Sequence, residues 1–324
     1  VPVTTTLRSN RPTGFCHQAF FYDSPSQFYA GVVPFVDAAV ATGEPVLVIL
    51  PGPKLDEVRR RVAAVDRVEL ADMDDVGGNP GRIIPLWLDF VDRHRETATS
   101  LRGVGEPIGP HRSGEELAEC QVHETLLNVA FADSIPWRLL CPYDESRLPA
   151  DTIDEARRSH PYVGGADGHR QVSADYLGTG AAGGVLTRPL PPPPPDALDV
   201  PFAAETLPHV RRLVGAESVR RGLPAARAGD LELAVGEAGA NSLLHGGGGG
   251  RMKLWSDDDH LVAEVSDRGQ FSELLAGRVR PPVDQLGGRG LWIVQQVCDL
   301  VQVRSTGHGT TVRMHMRRPD RPPS

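Results

Sequence analysis

Glu237, Asn241 and His245 stand four apart in VGEAGANSLLHGGGGG (235–250). On a helix they form one polar stripe, while Leu231, Ala234, Val235 and Ala238 can face a core. Such a stripe is usually only the solvated side of a helix, but three downstream stretches favour a chemical role. VAEVSDRGQF (262–271) ends a strand-like run on Asp267, with Gly269 two positions on. LGGRGLWIVQQVCD (286–299) then runs a turn containing Gly287, Gly288 and Gly290 straight into an amphipathic helix, and GHGTTVRM (307–314) precedes a final strand. Backbone amides at a helix N-terminus form an anion site suited to phosphate. His245, at the end of its helix, reads as a cap.

A second group of candidates lies upstream. Cys120 and His123 are three apart on one helical face, and Cys16, His17 and Cys141 adjoin strand-like runs. Thiolate and imidazole suit zinc, iron or haem. With no C-x-x-C pair, burial in a core is the commoner fate of such residues, and a pocket for a small-molecule signal is the plainer reading.

Two blocks of sequence have to position these groups. TRPLPPPPPDALDVP (187–201) contains five consecutive prolines, which favour an extended polyproline helix and read as a semi-rigid spacer. This divides the chain into 14–186, a linker at 187–201, and 202–318; GTGAAGG (178–184) reads as flexible. In the first block PVLVIL (45–50) and WRLLC (137–141) alternate with helical stretches near 26–42, 53–65, 81–99, 113–131 and 151–159, which implies an α/β fold with a parallel sheet. The second block has helices near 206–222 and 227–245. RMKLW and LVAEVSD follow as strands, then a helix near 289–299 and two closing strands, LVQVRS and TTVRMHM. That order gives an α+β layer with helices on one face of a mixed or antiparallel sheet. The five glycines after His245 allow positive φ and a tight reversal into the next strand.

The formal charge of −8 comes entirely from the first part of the 324-residue chain: residues 1–190 hold 18 basic and 26 acidic side chains, residues 191–324 hold 16 of each. Neither block has the basic excess that neutralises phosphates, so direct binding of DNA or RNA is not expected. The sequence shows no run of about 18 apolar residues and no signal-peptide pattern. The four widely spaced cysteines are therefore expected to be reduced thiols of a cytoplasmic protein.

With these motifs in this order, residues 202–318 resemble the Bergerat-fold ATPases, the group of gyrase B, MutL and histidine kinases. They are most similar to the anti-sigma-factor serine kinases. The resemblance implies a two-layer α+β ATPase fold with ATP and magnesium as cofactors. Asn241 would ligate the metal and Glu237 would be the general base for an attacking hydroxyl. Asp267 would accept a hydrogen bond from the adenine amino group, and Gly269 would let backbone approach the base. Gly287, Gly288, Arg289, Gly290 and Leu291 would cradle the phosphates, Thr310 or Thr311 would line the pocket, and 268–288, with Pro281 and Pro282, would form a lid that orders on binding. Phe271 departs from the family, which often has a second glycine after the adenine aspartate. The implied partners are a sigma factor and an anti-sigma antagonist, docking on the helix near 206–222, and a homodimer is compatible with the reading.

Residues 15–160 resemble the MEDS sensory domain of methanogen and methylotroph regulators through CHQAFFYDS (16–24), GEPVLVILPGPKLDEV (43–58), ECQVHETLLN (119–128) and LLCPYD (139–144). The implied fold is RecA-like. The turn PGPKLDE lacks the G-x-x-x-x-G-K-[ST] pattern, so no second ATP site is expected there. VHETLLN also resembles a histidine-kinase phosphoacceptor helix, but His123 lies within an α/β alternation and a proline linker intervenes, which argues against autophosphorylation. The whole chain thus reads as a sensor-controlled anti-sigma factor with protein serine/threonine kinase activity. Two alternatives stand beside it: a non-catalytic sigma-binding module with nucleotide as structural ligand, and a metal- or haem-dependent sensor.

Overall fold

The computed structural model describes residues 14–165, 169–282 and 288–319. The chain divides into two compact bodies, one built from 1–75, 88–111 and 128–177, the other from 76–87, 112–127 and 178–324. Among the described residues no helix is long and apolar enough to cross a membrane.

The elements run β1 (Phe15–Tyr22), α1 (Pro25–Thr42), β2 (Val46–Leu50), α2 (Gly52–Arg61), β3 (Glu69–Asp72), α3 (Met73–Val76), α4 (Ile83–His94), β4 (Leu101–Gly105), α5 (Gly114–Ala130), β5 (Trp137–Asp144), α6 (Ala150–Ser159), β6 (Tyr162–Gly164) and β7 (Arg170–Val172). They continue with α7 (Ala182–Val185), β8 (Leu198–Ala203), α8 (Leu207–Arg220), α9 (Ala225–His245), β9 (Gly249–Ser256), β10 (His260–Asp267), α10 (Gly290–Val297), β11 (Leu300–Thr306) and β12 (Gly309–Arg317).

In the first body the seven strands lie in the order β3-β2-β4-β5-β1-β6-β7. All neighbours are parallel except β6 and β7. β2 is VLVIL with every residue buried, as a strand covered on both faces requires. α1 ends at Gly43, whose φ of 72° lets its amide reach back to Val40 and Ala39. Lys54, one of two lysines in the chain, donates to Tyr22 Oη and Glu106 Oε1, and Tyr22 also donates to Glu106 at 2.6 Å. Burial pushes the Glu106 carboxyl up against the pull of Lys54.

In the second body an antiparallel sheet has the order β11-β12-β10-β9-β8. One face is apolar: Leu261, Ala263 and Val265 of β10 with Val312, Met314 and Met316 of β12 join Leu231, Ala234, Val235 and Ala238 of α9 in one core. The strand period of two sends the alternate residues to the other face, and there buried polar side chains join Trp255, Val262 and Leu300. Arg313 donates to Glu264 at 2.6 Å and to the Pro191 carbonyl at 2.7 Å. Arg304 donates to Glu119 at 2.5 Å, and His315 bonds Gln302 at 3.2 Å.

Two expectations for the linker are corrected. Within 187–201 the proline run is held to the sheet by Arg313, and Leu198–Ala203 forms edge strand β8, which tolerates Pro201 because an edge strand leaves one side of its ladder unused. GTGAAGG is ordered: a single helical turn runs into α7, Ala182 is buried, and the Leu186 carbonyl just beyond accepts from the Ser305 amide at 2.9 Å.

Burial, reinforced by His260 and Arg313, lowers the pKa of His315 to about 4. The folded chain therefore resists a proton that the unfolded chain accepts near pH 6.5. The stabilisation is complete above that pH and fades as pH falls toward 4, by about 3 kcal/mol in all. As pH falls from neutrality toward 4, the urea midpoint of the wild type should drop relative to that of His315→Gln, whose side chain takes up no proton; parallel pH profiles would refute the assignment.

Candidate functional site

α9 is long enough, at 21 residues, to reach from the α8 contact to the far end of the sheet. Its small residues set the packing distance: a Cβ on Gly239 would lie 2.5 Å from Leu207 Cδ1 of α8. Glu237 and Asn241 stand half-buried on the side of α9 that meets the start of α10. At Gly290 an added Cβ would lie 3.0 Å from Glu237 Oε2 and 3.2 Å from Asn241 Nδ2. A side chain here would press on the carboxylate and the amide, so glycine suits the first turn of α10. Gly288, with φ at 75°, makes the bend before it.

Asn241, Gly288 and Gly290 border a cavity of about 300 Å³, which Ser242, Asp267, Phe271 and Thr310 also line; Glu237 stands next to Gly290 but is not among the lining residues. Asp267 closes one end. Its Oδ2 accepts from Ser242 Oγ at 2.6 Å and its Oδ1 from the Gly269 amide at 2.8 Å, so the carboxylate is fixed while each oxygen retains a further lone pair. Gly246 and Gly269 keep this corner thin: a Cβ on Gly246 would fall 2.3 Å from Asp267 Cγ, and one on Gly269 2.4 Å from the His245 carbonyl. Gly247 and Gly248 have φ of 91° and 88° and make the reversal into β9. Thr310 lines the cavity and donates to the Gly269 carbonyl at 2.9 Å. Thr311 pairs with Ser266 and, by strand alternation, faces the polar side of the sheet.

Gly269, Gly288 and Leu291 also line the cavity. Arg289 is exposed and donates to the Pro282 carbonyl at 3.2 Å. Gly287 lies outside the described residues. Ser242 is a site residue that sequence reasoning misses, although its place next to Asn241, one helical turn before Gly246, offers a signal.

The expected lid is firmer than a free flap over its described part. The Phe271 amide donates to Ser305 Oγ at 2.8 Å, and buried Arg278 donates to Glu119 at 3.0 Å. Between these anchors 271–276 walls the cavity, and at Gly277, φ 74°, a Cβ would lie 3.0 Å from Leu291 Cβ. At its other end α10 leaves carbonyls needing donors. Asn79 Nδ2 and Arg82 Nε reach the Gln295 carbonyl at 3.0 and 2.8 Å, and Arg82 Nη2 reaches that of Cys298 at 2.6 Å. The Arg82 cation also complements the negative end of the helix.

Of the upstream candidates, Cys141 Sγ lies 3.3 Å from His17 Nε2. Cys16 alternates to the opposite face of β1 and accepts from Arg170 at 2.9 Å. Burial raises its pKa against Arg170 and Arg138. Cys120 and His123 lie on the portion of α5 that belongs to the second body, where burial pushes the Cys120 thiol up to about 12. A thiol so raised is a poor nucleophile.

Comparison with known proteins gives two family matches. The MEDS family (methanogen/methylotroph, DcmR sensory domain) matches residues 16–161, and the histidine kinase-like ATPase domain matches residues 200–316. Among solved structures, the RsbU and RsbW domains of Rv1364c from Mycobacterium tuberculosis are similar at 19% identity with a TM-score of 0.30, the match covering 55% of this chain and 44% of that one. This chain thus spans less than half of that structure's length. No curated protein matches.

Proposed function

We propose that this chain, in which a MEDS sensory domain is joined to a histidine kinase-like ATPase domain, is a cytoplasmic signalling regulator that binds ATP with magnesium. It acts on a sigma factor or on an anti-sigma antagonist, as a protein serine/threonine kinase under control of the sensory domain. The observation that carries this reading is a cavity bordered by Asn241, the Gly290 turn and Asp267, with the Glu237 carboxylate next to Gly290.

In this reading Asp267 takes the adenine amino group, with Ser242 and the Gly269 amide holding its carboxylate in place. The amides opening α10 take the phosphates. The donor set fits magnesium, because the Asn241 amide offers an oxygen ligand beside a turn kept free of side chain; bound there, the ion would supply charge neutralisation across the phosphates. Glu237 accepts the proton of a substrate hydroxyl as its oxygen bonds to the γ-phosphorus, the bond to the bridging oxygen breaks, and ADP leaves.

Glu237→Gln should leave ATP affinity near that of the wild type and slow phosphoryl transfer to an antagonist protein by about 10²–10⁴-fold. Transfer at the wild-type rate would remove Glu237 from the chemistry. A second reading, nucleotide as a structural ligand of a sigma-binding module, draws support from Phe271, which packs against the core and lines the cavity after the Asp267 turn. Wild-type protein that binds ATP, transfers no phosphate and holds a sigma factor more tightly with nucleotide would favour that reading.

A further inference from the structure

The first body contains a buried group of metal-ligand side chains with no part in the nucleotide chemistry. His17 on β1, Cys141 on β5 and His160 at the end of α6 are 0%, 2% and 0% exposed, and their ligand atoms lie within 4.8 Å of one another. β1 and β5 run parallel, with His17 opposite Leu139 and Ala19 opposite Cys141. His17 and Cys141 are thus diagonal neighbours on one face of the sheet.

The hydrogen bonds around the two imidazoles fix which nitrogen carries the proton. Asn128 Nδ2 donates to the Ser159 carbonyl at 2.8 Å, which turns its Oδ1 toward His17 Nδ1 at 3.2 Å. An amide oxygen only accepts, so His17 Nδ1 bears the hydrogen and Nε2 the lone pair. His160 Nδ1 lies 2.8 Å from the Ala156 carbonyl. By the same argument its lone pair is on Nε2. Metal-binding histidines are commonly held in this way, the distal nitrogen donating to a carbonyl or amide oxygen while the other faces the ion.

From this arrangement we infer that His17 Nε2, Cys141 Sγ and His160 Nε2 form a site for one borderline divalent transition-metal ion of the zinc class. The 3.3 Å between His17 Nε2 and Cys141 Sγ is within a few tenths of an ångström of a tetrahedral edge, roughly 3.3–3.6 Å for nitrogen and sulfur ligands. Haem does not fit: the His17 and His160 ring centroids are 3.9 Å apart, which leaves no slot for a macrocycle between them. Binding deprotonates Cys141, its proton passing to solvent as the sulfur–metal bond forms. The side chains come from two central strands and a helix end, so occupancy would tie α6 to the middle of the sheet.

The test uses the full chain, purified without an affinity tag that binds metal. Elemental analysis should find about one transition-metal ion per chain. After chelation, cobalt(II) should restore one equivalent with a thiolate-to-metal absorption band, lost in Cys141→Ser and shifted in His160→Gln. Asn128→Ala, which touches no ligand atom's bond to the ion, should weaken cobalt binding about 10–100-fold with an unchanged far-UV circular dichroism spectrum. Wild-type chain that arrives without metal and gives no band with excess cobalt overturns the assignment, as does a band that persists in Cys141→Ser. Both readouts are independent of ATP binding, so they fail or succeed apart from the proposed kinase function.

Discussion

Replacing Glu119 with glutamine is expected to cost the second body about 3–5 kcal/mol, the usual penalty for removing one partner of a buried ion pair. Glu119 is 1% exposed and receives Arg304 at 2.5 Å and Arg278 at 3.0 Å. Both guanidiniums are themselves buried, and among the described residues Arg278 Nη1 and Arg304 Nε have no hydrogen-bond partner. Glutamine keeps the volume but turns an amide donor toward two cations. Arg278 already has its pKa lowered by burial, so it carries much of the penalty. Hydrogen exchange should show β11 and β12 losing protection, with the 271–278 segment loosening most. Converting Glu119 to leucine together with Arg278 and Arg304 to methionine should recover most of the loss, because a well-packed apolar group often replaces a buried ionic one at no cost. Unchanged protection in Glu119→Gln would show that the pair contributes little.

Asp267→Ala is the second large effect. A hydrogen bond to a charged acceptor contributes about 1.5–3 kcal/mol, and its removal also leaves the Gly269 amide without its acceptor while Ser242 keeps only the Ala238 carbonyl. ATP affinity measured by calorimetry should therefore fall roughly 10–150-fold. The loss should be specific to the base. Guanine presents a carbonyl where adenine has its amino group, so GTP, already disfavoured by the carboxylate, should lose nothing and the preference between the two should collapse. Equal losses for both nucleotides would place Asp267 in support of the cavity wall rather than in contact with the base.

The VLVIL strand, the α9 stripe and the glycine turn into α10 are legible in the residues because their signatures are local: a continuous apolar run, a spacing of four and a break in side chains. Their elements form within a few residues of the expected bounds. β8 is hidden by the prolines beside it, because composition reports a missing donor but not whether a strand sits at an edge where that donor is dispensable. Segments 76–87 and 112–127 read as belonging with their sequence neighbours, yet they pack within the second body. Nothing local marks Glu119 as the partner of Arg304, 185 positions away. Likewise residue type alone singles out Cys141 and His17 as sensor-site candidates, but His160 enters only once β1, β5 and α6 are assembled.

The donors that finish α10 have one more implication. Asn79 and Arg82 satisfy carbonyls of a helix some 216 positions downstream. The ATPase half is therefore not a portable cassette bounded by the proline run. Grafted alone onto a different input, it would keep the residues lining its cavity but present Gln295 and Cys298 oxygens to water, and Arg278 and Arg304 without their acid. Recombination in such proteins should respect that interior seam, not the conspicuous one in the sequence.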